Sequence, residues 1–391
     1  MKKKTAVATS VIFLVLLFGL AIINLALPKK AFSENENRAL QPFPSLTVDS
    51  LLDTSFTSDF DTYITDHFAF RDFWVGAKTL AEVALQKKDS GGAYFGKDGY
   101  LIERHDLTDN IPQFSSRYIN REQYAKNLQY VKEFTEQMQQ NYQVDVHTMI
   151  VPTASYVLHD KLPAFAPEVD QDELLIQARE TIPGFIDLRN TLRGHKDEYI
   201  YYRTDHHWTS LGACYAYQQW CETVGLPVRD VSWYRQEILS EDFLGTTYSK
   251  ATLYTAQPDT ITAFLPPEDA PVTVTYNEGA GTSEKVSDSM YERSHLENKD
   301  KYPVFLDGNQ PVTRIDTQVQ NGRKLLIIKD SYANTFAPFA ANDFEQVYML
   351  DLRHYKASVS EFVQEHGITD VLVLYNVAGF STDTNVFLLP D

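Results

Sequence analysis

Two short segments of the chain carry residue types that together can perform nucleophilic acyl chemistry. Asp205 and His207 lie two positions apart in one segment, and Ser331 lies in the other. Side chains two positions apart in extended backbone share a side, so the Asp205 carboxylate can accept the Nδ1 proton of His207 and leave Nε2 free as a base. Such a base removes the proton of a serine hydroxyl, which then attacks an acyl carbonyl. The residue types therefore predict an acyl-serine enzyme.

Each segment also has an alternative interpretation. Asp205, His206 and His207 resemble metal ligands, but the sequence contains no HExxH or CxxC motif to complete a metal site, so we predict no metal and no other cofactor. The same residues can instead cap a helix and fix a loop, and Ser331 can be the N-cap residue of the helix after it. In the Asp-x-His interpretation His206 faces away from Asp205, because adjacent side chains of extended backbone lie on opposite sides.

Both segments follow predicted strands. Tyr199–Tyr202 is predicted as a short strand before the first segment, and a helix over Leu211–Val224 comes after it. Leu325–Ile328, before Ser331, is a continuous apolar run typical of a strand buried on both faces. Because functional groups of open parallel sheets gather at the carboxyl ends of the strands, we expect the two segments to meet there.

The rest of the chain alternates helices with short apolar strands. Further strands are predicted at Val144–Val151, Val347–Leu350 and Val371–Leu374. This alternation indicates an α/β fold with a mostly parallel sheet. Residues 229–320 interrupt the pattern, since they are polar and rich in Thr, Asp and Pro. We predict one domain over residues 46–391 with a polar insertion at about 229–320.

The first thirty residues indicate where the protein works. Residues 6–27 carry no charge and, as a helix, measure roughly 33 Å, enough to cross the hydrocarbon core of a bilayer. The apolar core of a secretory signal is usually shorter. We therefore predict a transmembrane signal anchor over residues 1–30, a Pro-containing tether over 31–45 and an extracytoplasmic remainder. Secretion after cleavage of the anchor is the alternative.

Net charge excludes one class of partner. The chain has 391 residues and a net charge of −18, and residues 1–30 contain five lysines and no acidic residue, so the remainder has a charge of −23. No basic stripe is present to neutralise phosphates, which excludes general binding of nucleic acid. The composition, with 43% hydrophobic and 23% charged residues, is that of a globular protein.

The four residues from Asp205 to Trp208 resemble the signature of the DHHW-motif protein family, which is similar to the SGNH-type alginate O-acetyltransferases. The resemblance extends to four other segments, namely Glu36–Arg38, Asp66–Arg71, Gly96–Leu101 and Asp351–Arg353. It implies an SGNH-like three-layer fold with Asp205 as the orienting acid, His207 as the base and Ser331 as the nucleophile. The motif order is permuted, since Asp and His precede Ser here, and Lys329 stands where ordinary SGNH hydrolases carry a glycine.

Other residues are candidates for contacts with a substrate. Asn309 and Asn334 are candidates for the groups that bind the oxyanion. Arg353, just after a predicted strand, is a candidate for holding an acyl or sugar oxygen, and a surface salt bridge is an equal alternative for it.

The resemblance implies an extracytoplasmic, membrane-anchored O-acetyltransferase or acetyl-esterase that acts on a cell-envelope or secreted polysaccharide. A single membrane segment cannot import acetyl-CoA, so a transferase would receive its acyl groups from a separate membrane protein. The competing class is non-catalytic: a tethered glycan-binding or polysaccharide-assembly protein in which Asp205, His207 and Ser331 are only structural.

Overall fold

The computed structural model describes residues 2–105, 119–268, 270–279 and 283–390. These residues form two compact units. Unit 1 consists of the described part of Met1–Lys87 together with Ser249–Thr255, and unit 2 consists of the described part of Lys88–Tyr248 and Ala256–Asp391. The range 46–391, predicted as one domain, contains residues of both units. All residues predicted for the site belong to unit 2.

Unit 1 begins with a long apolar helix. An 18-residue stretch of this helix has a mean hydropathy of 2.8 and none of it is buried, so Lys4–Ala26 is long and apolar enough to cross a membrane. The elements of unit 1 are α1 Lys2–Ala26, β1 Phe32–Ser33, β2 Arg38–Ala39, α2 Val48–Leu52, α3 Ser55–Asp66 and α4 Arg71–Ala84.

An ion-pair network joins the predicted tether to the turn between α3 and α4. The Arg38 guanidinium donates to Asp66 Oδ1 and Oδ2 at 2.5 and 2.9 Å, and Arg71 Nε donates to Glu36 at 2.8 Å. The Asp66 side chain is 3% exposed, and the hydrogen bonds from Arg38 lower its pKa to about 2. The backbone N–H of Gln41 adds a third donor to Asp66. Residues 36–41 of the predicted tether therefore contact the turn between α3 and α4 within unit 1.

The remaining elements include the main sheet of the molecule. In chain order they are β3 Asp89–Ser90, β4 Ala93–Phe95, β5 Leu101–Glu103, α5 Arg121–Gln137, β6 Asp145–Val151, α6 Ala154–Val157, α7 Gln171–Thr181, α8 Arg189–Gly194, α9 Ser210–Val224, β7 Arg235–Phe243, α10 Thr246–Ala251, β8 Asp259–Leu265, β9 Thr273–Tyr276, β10 Lys285–Ser287, β11 Val312–Asp316, β12 Lys324–Lys329, α11 Ala333–Ala340, β13 Gln346–Leu350, α12 Val359–His366, β14 Asp370–Asn376 and α13 Val377–Thr382.

Unit 2 is built on a seven-stranded sheet with the order β10-β9-β11-β13-β12-β14-β6. Strands β13, β12, β14 and β6 are parallel, and β11, β9 and β10 form an antiparallel edge. The four parallel strands are the ones predicted from apolar runs, which confirms the α/β class. The antiparallel edge comes from residues 229–320, so this range contributes to the sheet and is not only an insertion. These edge strands are short and half polar, which hid them from pattern analysis.

Alternate residues of the central strand β12 enter two different cores. Leu325 and Ile327 pack with residues of α9 and α11, whereas Leu326 and Ile328 pack with residues of α5, α7 and α12. Successive side chains of a strand point to opposite faces, and helices normally cover both faces of a parallel sheet. Unit 2 therefore has three layers, and the carboxyl end of β12 brings Ser331 to the edge of its sheet.

The segment before Asp205 differs from its prediction. Tyr199–Tyr202 is not a strand of the main sheet; among the described residues, Tyr201 forms a single antiparallel bridge with Trp208. The loop thus turns back on itself before it leads into α9. Helix α9 agrees with the sequence: the side chain of Thr209 is its N-cap, and Gly225 ends it in the left-handed conformation.

Two truncations test whether the segment after α1 is part of the fold. A chain that starts at Ala31 keeps the Arg38–Asp66 pair, whereas one that starts at Leu46 leaves the buried Asp66 carboxylate without Arg38. Because Arg38 is partly exposed, we expect a loss of about 1–3 kcal/mol in the free energy of unfolding of the shorter chain at pH 7. Circular dichroism during urea unfolding measures it.

The pH dependence provides a control. Pairing with Arg38 lowers the pKa of Asp66 to about 2. The contribution of this ion pair to the free energy of unfolding is therefore present above about pH 4 and is lost as the pH falls towards 2. The difference between the two chains should shrink over that range. Equal stability of both chains at pH 7 would contradict a structural role for the network.

Candidate active site

The structure brings Asp205, His207 and Ser331 into one hydrogen-bonded series. His207 Nε2 lies 2.6 Å from Ser331 Oγ, and His207 Nδ1 lies 2.5 Å from Asp205 Oδ1. The backbone N–H of His207 donates to the same Asp205 oxygen at 3.0 Å. Asp205 and His207 are 2% and 4% exposed. This is the geometry in which a carboxylate orients an imidazole and the imidazole can accept a hydroxyl proton.

The second oxygen of Asp205 is held by Thr246. The backbone N–H and the hydroxyl of Thr246 donate to Asp205 Oδ2 at 2.7 and 2.9 Å. Burial opposes ionisation of Asp205, but the imidazoles of His207 and His206 and these hydrogen bonds hold the pKa of Asp205 far below its usual range. The carboxylate is therefore ionised and fixed in position at neutral pH.

A second buried carboxylate, Asp259, holds the loop that carries Asp205. Asp259 accepts hydrogen bonds from the backbone N–H groups of Arg203 and Thr204 at 2.8 and 2.7 Å, and from the Thr204 hydroxyl at 2.6 Å. The hydroxyl of Tyr199 is a further donor to it. Burial raises the pKa of Asp259, and these donors oppose the shift. The loop is thus fixed by a residue from the range that the sequence presented as an insertion.

His206 does not face away from Asp205, so this prediction is wrong. His206 Nδ1 lies 2.7 Å from Thr246 Oγ1 and 3.8 Å from Asp205 Oδ1, and the centres of the His206 and His207 rings are 3.8 Å apart. Strict alternation requires extended backbone, and residues 203–207 form successive bends. His206 therefore lies beside the candidate base and shares its support.

Tyr302 contacts both residues of the hydrogen bond between His207 and Ser331. Its ring stacks on the ring of His207 with a centroid separation of 3.7 Å and an angle of 8° between the planes. Its hydroxyl donates to the backbone carbonyl of Ser331 at 3.0 Å. One buried side chain therefore sets the orientation of the imidazole and the position of the serine.

The turn of Ser331 is fixed by Asp330. Asp330 Oδ1 accepts from the N–H of Tyr332 at 2.9 Å, and Oδ2 accepts from the N–H and Nδ2 of Asn376 at 2.8 and 2.6 Å. Burial raises the pKa of Asp330 to about 6. The Ser331 hydroxyl is bonded to His207, and no side chain caps α11, so the alternative of Ser331 as an N-cap does not describe the structure.

A cavity of about 420 Å³ opens beside Ser331. Its wall includes His206, Arg353, Glu103, Ser155 and several residues after β14. Polar side chains of these kinds suit a hydroxyl-rich ligand. The cavity gives a substrate direct access to the serine.

Asn309 and Asn334 are placed differently from the prediction of an oxyanion site. Lys329 Nζ donates to the side-chain oxygens of both residues at 2.8 Å, and Asn334 Nδ2 donates to Gly308 O at 3.2 Å. Neither asparagine is among the residues that line the cavity. Lys329 is 1% exposed and burial lowers its pKa to about 8, so its ammonium needs these acceptors. The two amides therefore stabilise a buried charge.

Arg353 lies on the cavity wall and forms a salt bridge. It lines the cavity, and its Nε and Nη2 pair with Asp351 at 2.8 and 2.5 Å. Asp351 is fully buried and holds the guanidinium in one orientation. A salt bridge therefore positions a cation on the wall that holds Ser331.

The ligand atoms of Asp205, His206 and His207 lie within 4.8 Å of one another, as in a metal site. Both ring nitrogens of His207 already have hydrogen-bond partners, and both oxygens of Asp205 are engaged. A metal would have to displace these bonds. The donor set therefore fits an acid–base relay better than a metal centre.

Comparison with known proteins places the chain in a family. The model of the DHHW protein family matches residues 125–350, more than half of the chain. The chain belongs to the DHHW family. A solved DHHW family protein from Eubacterium siraeum DSM 15702 is 28% identical to it, with coverage of 77% of this chain and 95% of that one, and a TM-score of 0.62. No curated protein matches the chain.

Two other solved proteins are similar to this DHHW-family chain. Bacillus cereus PatB1 is 21% identical over 74% of this chain and 97% of its own, with a TM-score of 0.61. A second structure of PatB1 contains a sulfonyl adduct. The O-acetyltransferase domain of Pseudomonas putida AlgJ is 14% identical over 75% of this chain and 93% of its own, with a TM-score of 0.45. At these identities, the likeness to PatB1 indicates a shared fold.

Sequence reasoning missed three residues of the site in this DHHW-family protein. Thr246, Asp259 and Tyr302 all come from the polar range 229–320, where no periodic pattern marks an element. Each acts through contacts with residues 29 to 95 positions away in the chain. The abundance of Asp, Thr and Tyr in this range is the one sequence signal that could have indicated these three residues.

Gly245 offers a test of the support around Asp205. A Cβ atom on Gly245 would overlap the Asp205 side chain, whereas nothing lies within 4 Å of a Cβ on Gly194. We expect Gly245→Ala to lower the free energy of unfolding by about 1–3 kcal/mol, because Asp205 has no room to move. Gly194→Ala is the matched control and should be neutral or slightly stabilising. Equal stability of the two variants in urea would contradict the tight packing described here.

Proposed function

We propose that this DHHW-family protein is a membrane-anchored, extracytoplasmic acyl-transfer enzyme with Ser331 as its nucleophile. The observation that carries the proposal is the continuous series of hydrogen bonds from Asp205 through His207 to the Ser331 hydroxyl. A serine on a strand-to-helix turn, beside a cavity and bonded to a carboxylate-oriented imidazole, is equipped to attack an acyl carbonyl.

The first half-reaction forms an acyl-serine. His207 Nε2 takes the proton of Ser331 Oγ while Oγ forms a bond to the carbonyl carbon, and the carbonyl oxygen becomes negatively charged. When the tetrahedral intermediate collapses, the bond to the leaving group breaks and His207 returns the proton to that group. Asp205 stays ionised throughout and stabilises the imidazolium. The Arg353 guanidinium on the cavity wall is a candidate to hold a substrate oxygen.

The second half-reaction decides between two activities. If a sugar hydroxyl gives its proton to His207 and attacks the acyl-serine, the protein is an O-acetyltransferase; if water does so, it is an acetyl-esterase. In either case the bond between Ser331 Oγ and the acyl carbon breaks, and His207 returns the proton to Oγ. Polar side chains among the residues that line the cavity support a hydroxyl-rich acceptor such as a cell-envelope or secreted polysaccharide. Among the described residues, α1 is the one helix long and apolar enough to cross a membrane, which supports anchoring. One spanning helix supplies no route for an acyl donor, so a transferase would take its acyl group from a separate membrane protein.

Turnover of a chromogenic acetyl ester tests the nucleophile and the base. Ser331→Ala and His207→Ala should each lower kcat by at least about 10³-fold, because the residues of a triad act as a unit. Ser155→Ala is the matched control: Ser155 also lines the cavity, and its loss should change kcat by less than about tenfold. Retention of activity in Ser331→Ala, or equal losses in all three variants, would refute the proposal.

Substitution of His206 separates the two histidines. His206 Nδ1 is hydrogen-bonded to Thr246, whereas His207 Nε2 is hydrogen-bonded to Ser331. We therefore expect His206→Ala to weaken the support of Asp205 and to leave acyl-serine formation within about tenfold of the wild type. Mass spectrometry of the quenched ester reaction detects the acyl-serine. If His206→Ala abolishes the adduct while His207→Ala retains it, His206 is the base and the proposed roles are wrong.

A further inference from the structure

A turn in unit 1 exposes aromatic side chains that have no role in the proposed acyl transfer. Phe68, Phe70, Phe73 and Trp74 are between 41% and 57% exposed. We call residues 68–74 the aromatic turn. Large aromatic side chains normally account for much of a core or an interface, so four exposed ones within seven residues mark an interaction surface.

The backbone of the aromatic turn is held in an unfavourable conformation. Phe70 has a φ of 60°, in the left-handed region that bulky residues avoid. The surroundings enforce this conformation: Arg71 pairs with Glu36, and Trp74 Nε1 donates to the carbonyl of Ala69 at 3.2 Å. Polar contacts within unit 1 therefore stabilise the backbone of a turn whose aromatic rings are exposed.

The aromatic turn adjoins the end of the apolar helix α1. Lys29 Nζ donates to the carbonyl of Asn24 in α1 at 2.7 Å and to the carbonyl of His67 at 3.3 Å. His67 is the residue directly before the aromatic turn, and its Nε2 lies 2.9 Å from Gln41 O. The chain that leaves α1 is therefore bonded to the base of the turn.

We infer that the aromatic turn binds the surface of the lipid bilayer beside the point where α1 leaves it. Trp and Phe side chains favour the interface between headgroups and acyl chains, and lysines at the end of a spanning helix direct their ammonium groups to the same level. A bilayer is the occupant because Lys29 connects the base of the aromatic turn to the end of α1, a helix that is long and apolar enough to cross a membrane. This inference rests on the proposed membrane location, and it adds a second contact that fixes unit 1 at the surface.

Trp74 allows a direct test, because the other tryptophans provide internal controls. Trp208 and Trp220 are buried, and Trp233 is 36% exposed in unit 2. The full chain is reconstituted in phosphatidylcholine vesicles brominated at acyl carbons 6 and 7, as Trp233→Phe, which keeps Trp74, and as Trp74→Phe, which keeps Trp233. We expect quenching by the brominated lipid to be at least about twofold greater in Trp233→Phe, and quenching by aqueous iodide to show the opposite order.

One variant tests lipid binding by the aromatic turn without unfolding unit 1. Phe70→Asn suits the left-handed backbone better than Phe, so unit 1 stays folded while an apolar ring is lost. In the Trp233→Phe background it should lower the quenching of Trp74 by brominated lipid. Quenching of Trp74 by iodide and not by brominated lipid would overturn the inference, and so would protection from both quenchers, which indicates a protein partner. Failure of the full chain to float with the vesicles refutes the membrane location itself.

Discussion

The burial of the Asp205 carboxylate is the constraint on which the rest of the site depends. An ionised carboxyl group inside a protein is stable only when its oxygens accept enough hydrogen bonds. Asp205 meets this requirement with the N–H and Nδ1 of His207 on one oxygen and with Thr246 on the other. The same bonds that stabilise the charge leave His207 Nε2 directed at Ser331. Stability and the geometry of the relay therefore have one cause.

Other buried carboxylates of the protein also accept several hydrogen bonds and fix a loop. Asp259 gathers the backbone N–H groups of the loop before His206, and Asp330 gathers those around Ser331. In unit 1, Asp66 collects Arg38 and the N–H of Gln41 after α1. In each case a buried carboxylate replaces regular secondary structure as the means of fixing a loop. These hydrogen bonds explain how irregular loops hold their side chains in defined positions.

The sequence allowed prediction of the features that follow from residue type and local period. The four parallel strands, helix α9 and the proximity of Asp205, His207 and Ser331 could all be predicted, whereas their catalytic roles stay predictions. The contributions of Thr246, Asp259 and Tyr302 could not be predicted, because they depend on contacts between distant segments without periodic patterns. The hydrogen bonds of Asn309 and Asn334 with Lys329 could not be predicted, because only the fold reveals that Lys329 is buried beside them. The pairing of Arg38 with Asp66 was hidden for the same reason.

Labelling by a sulfonyl fluoride tests most directly whether the relay activates Ser331. Attack by Ser331 Oγ on the sulfur forms a sulfonyl ester, releases fluoride and needs a base for the hydroxyl proton, so the reaction requires the nucleophile and His207 but no particular acyl donor. Peptide mass spectrometry after reaction at pH 7 should place the adduct on Ser331 in the wild type. His207→Ala should form it at least about 10²-fold more slowly. An unmodified Ser331, or an adduct that forms equally fast without His207, would contradict the account.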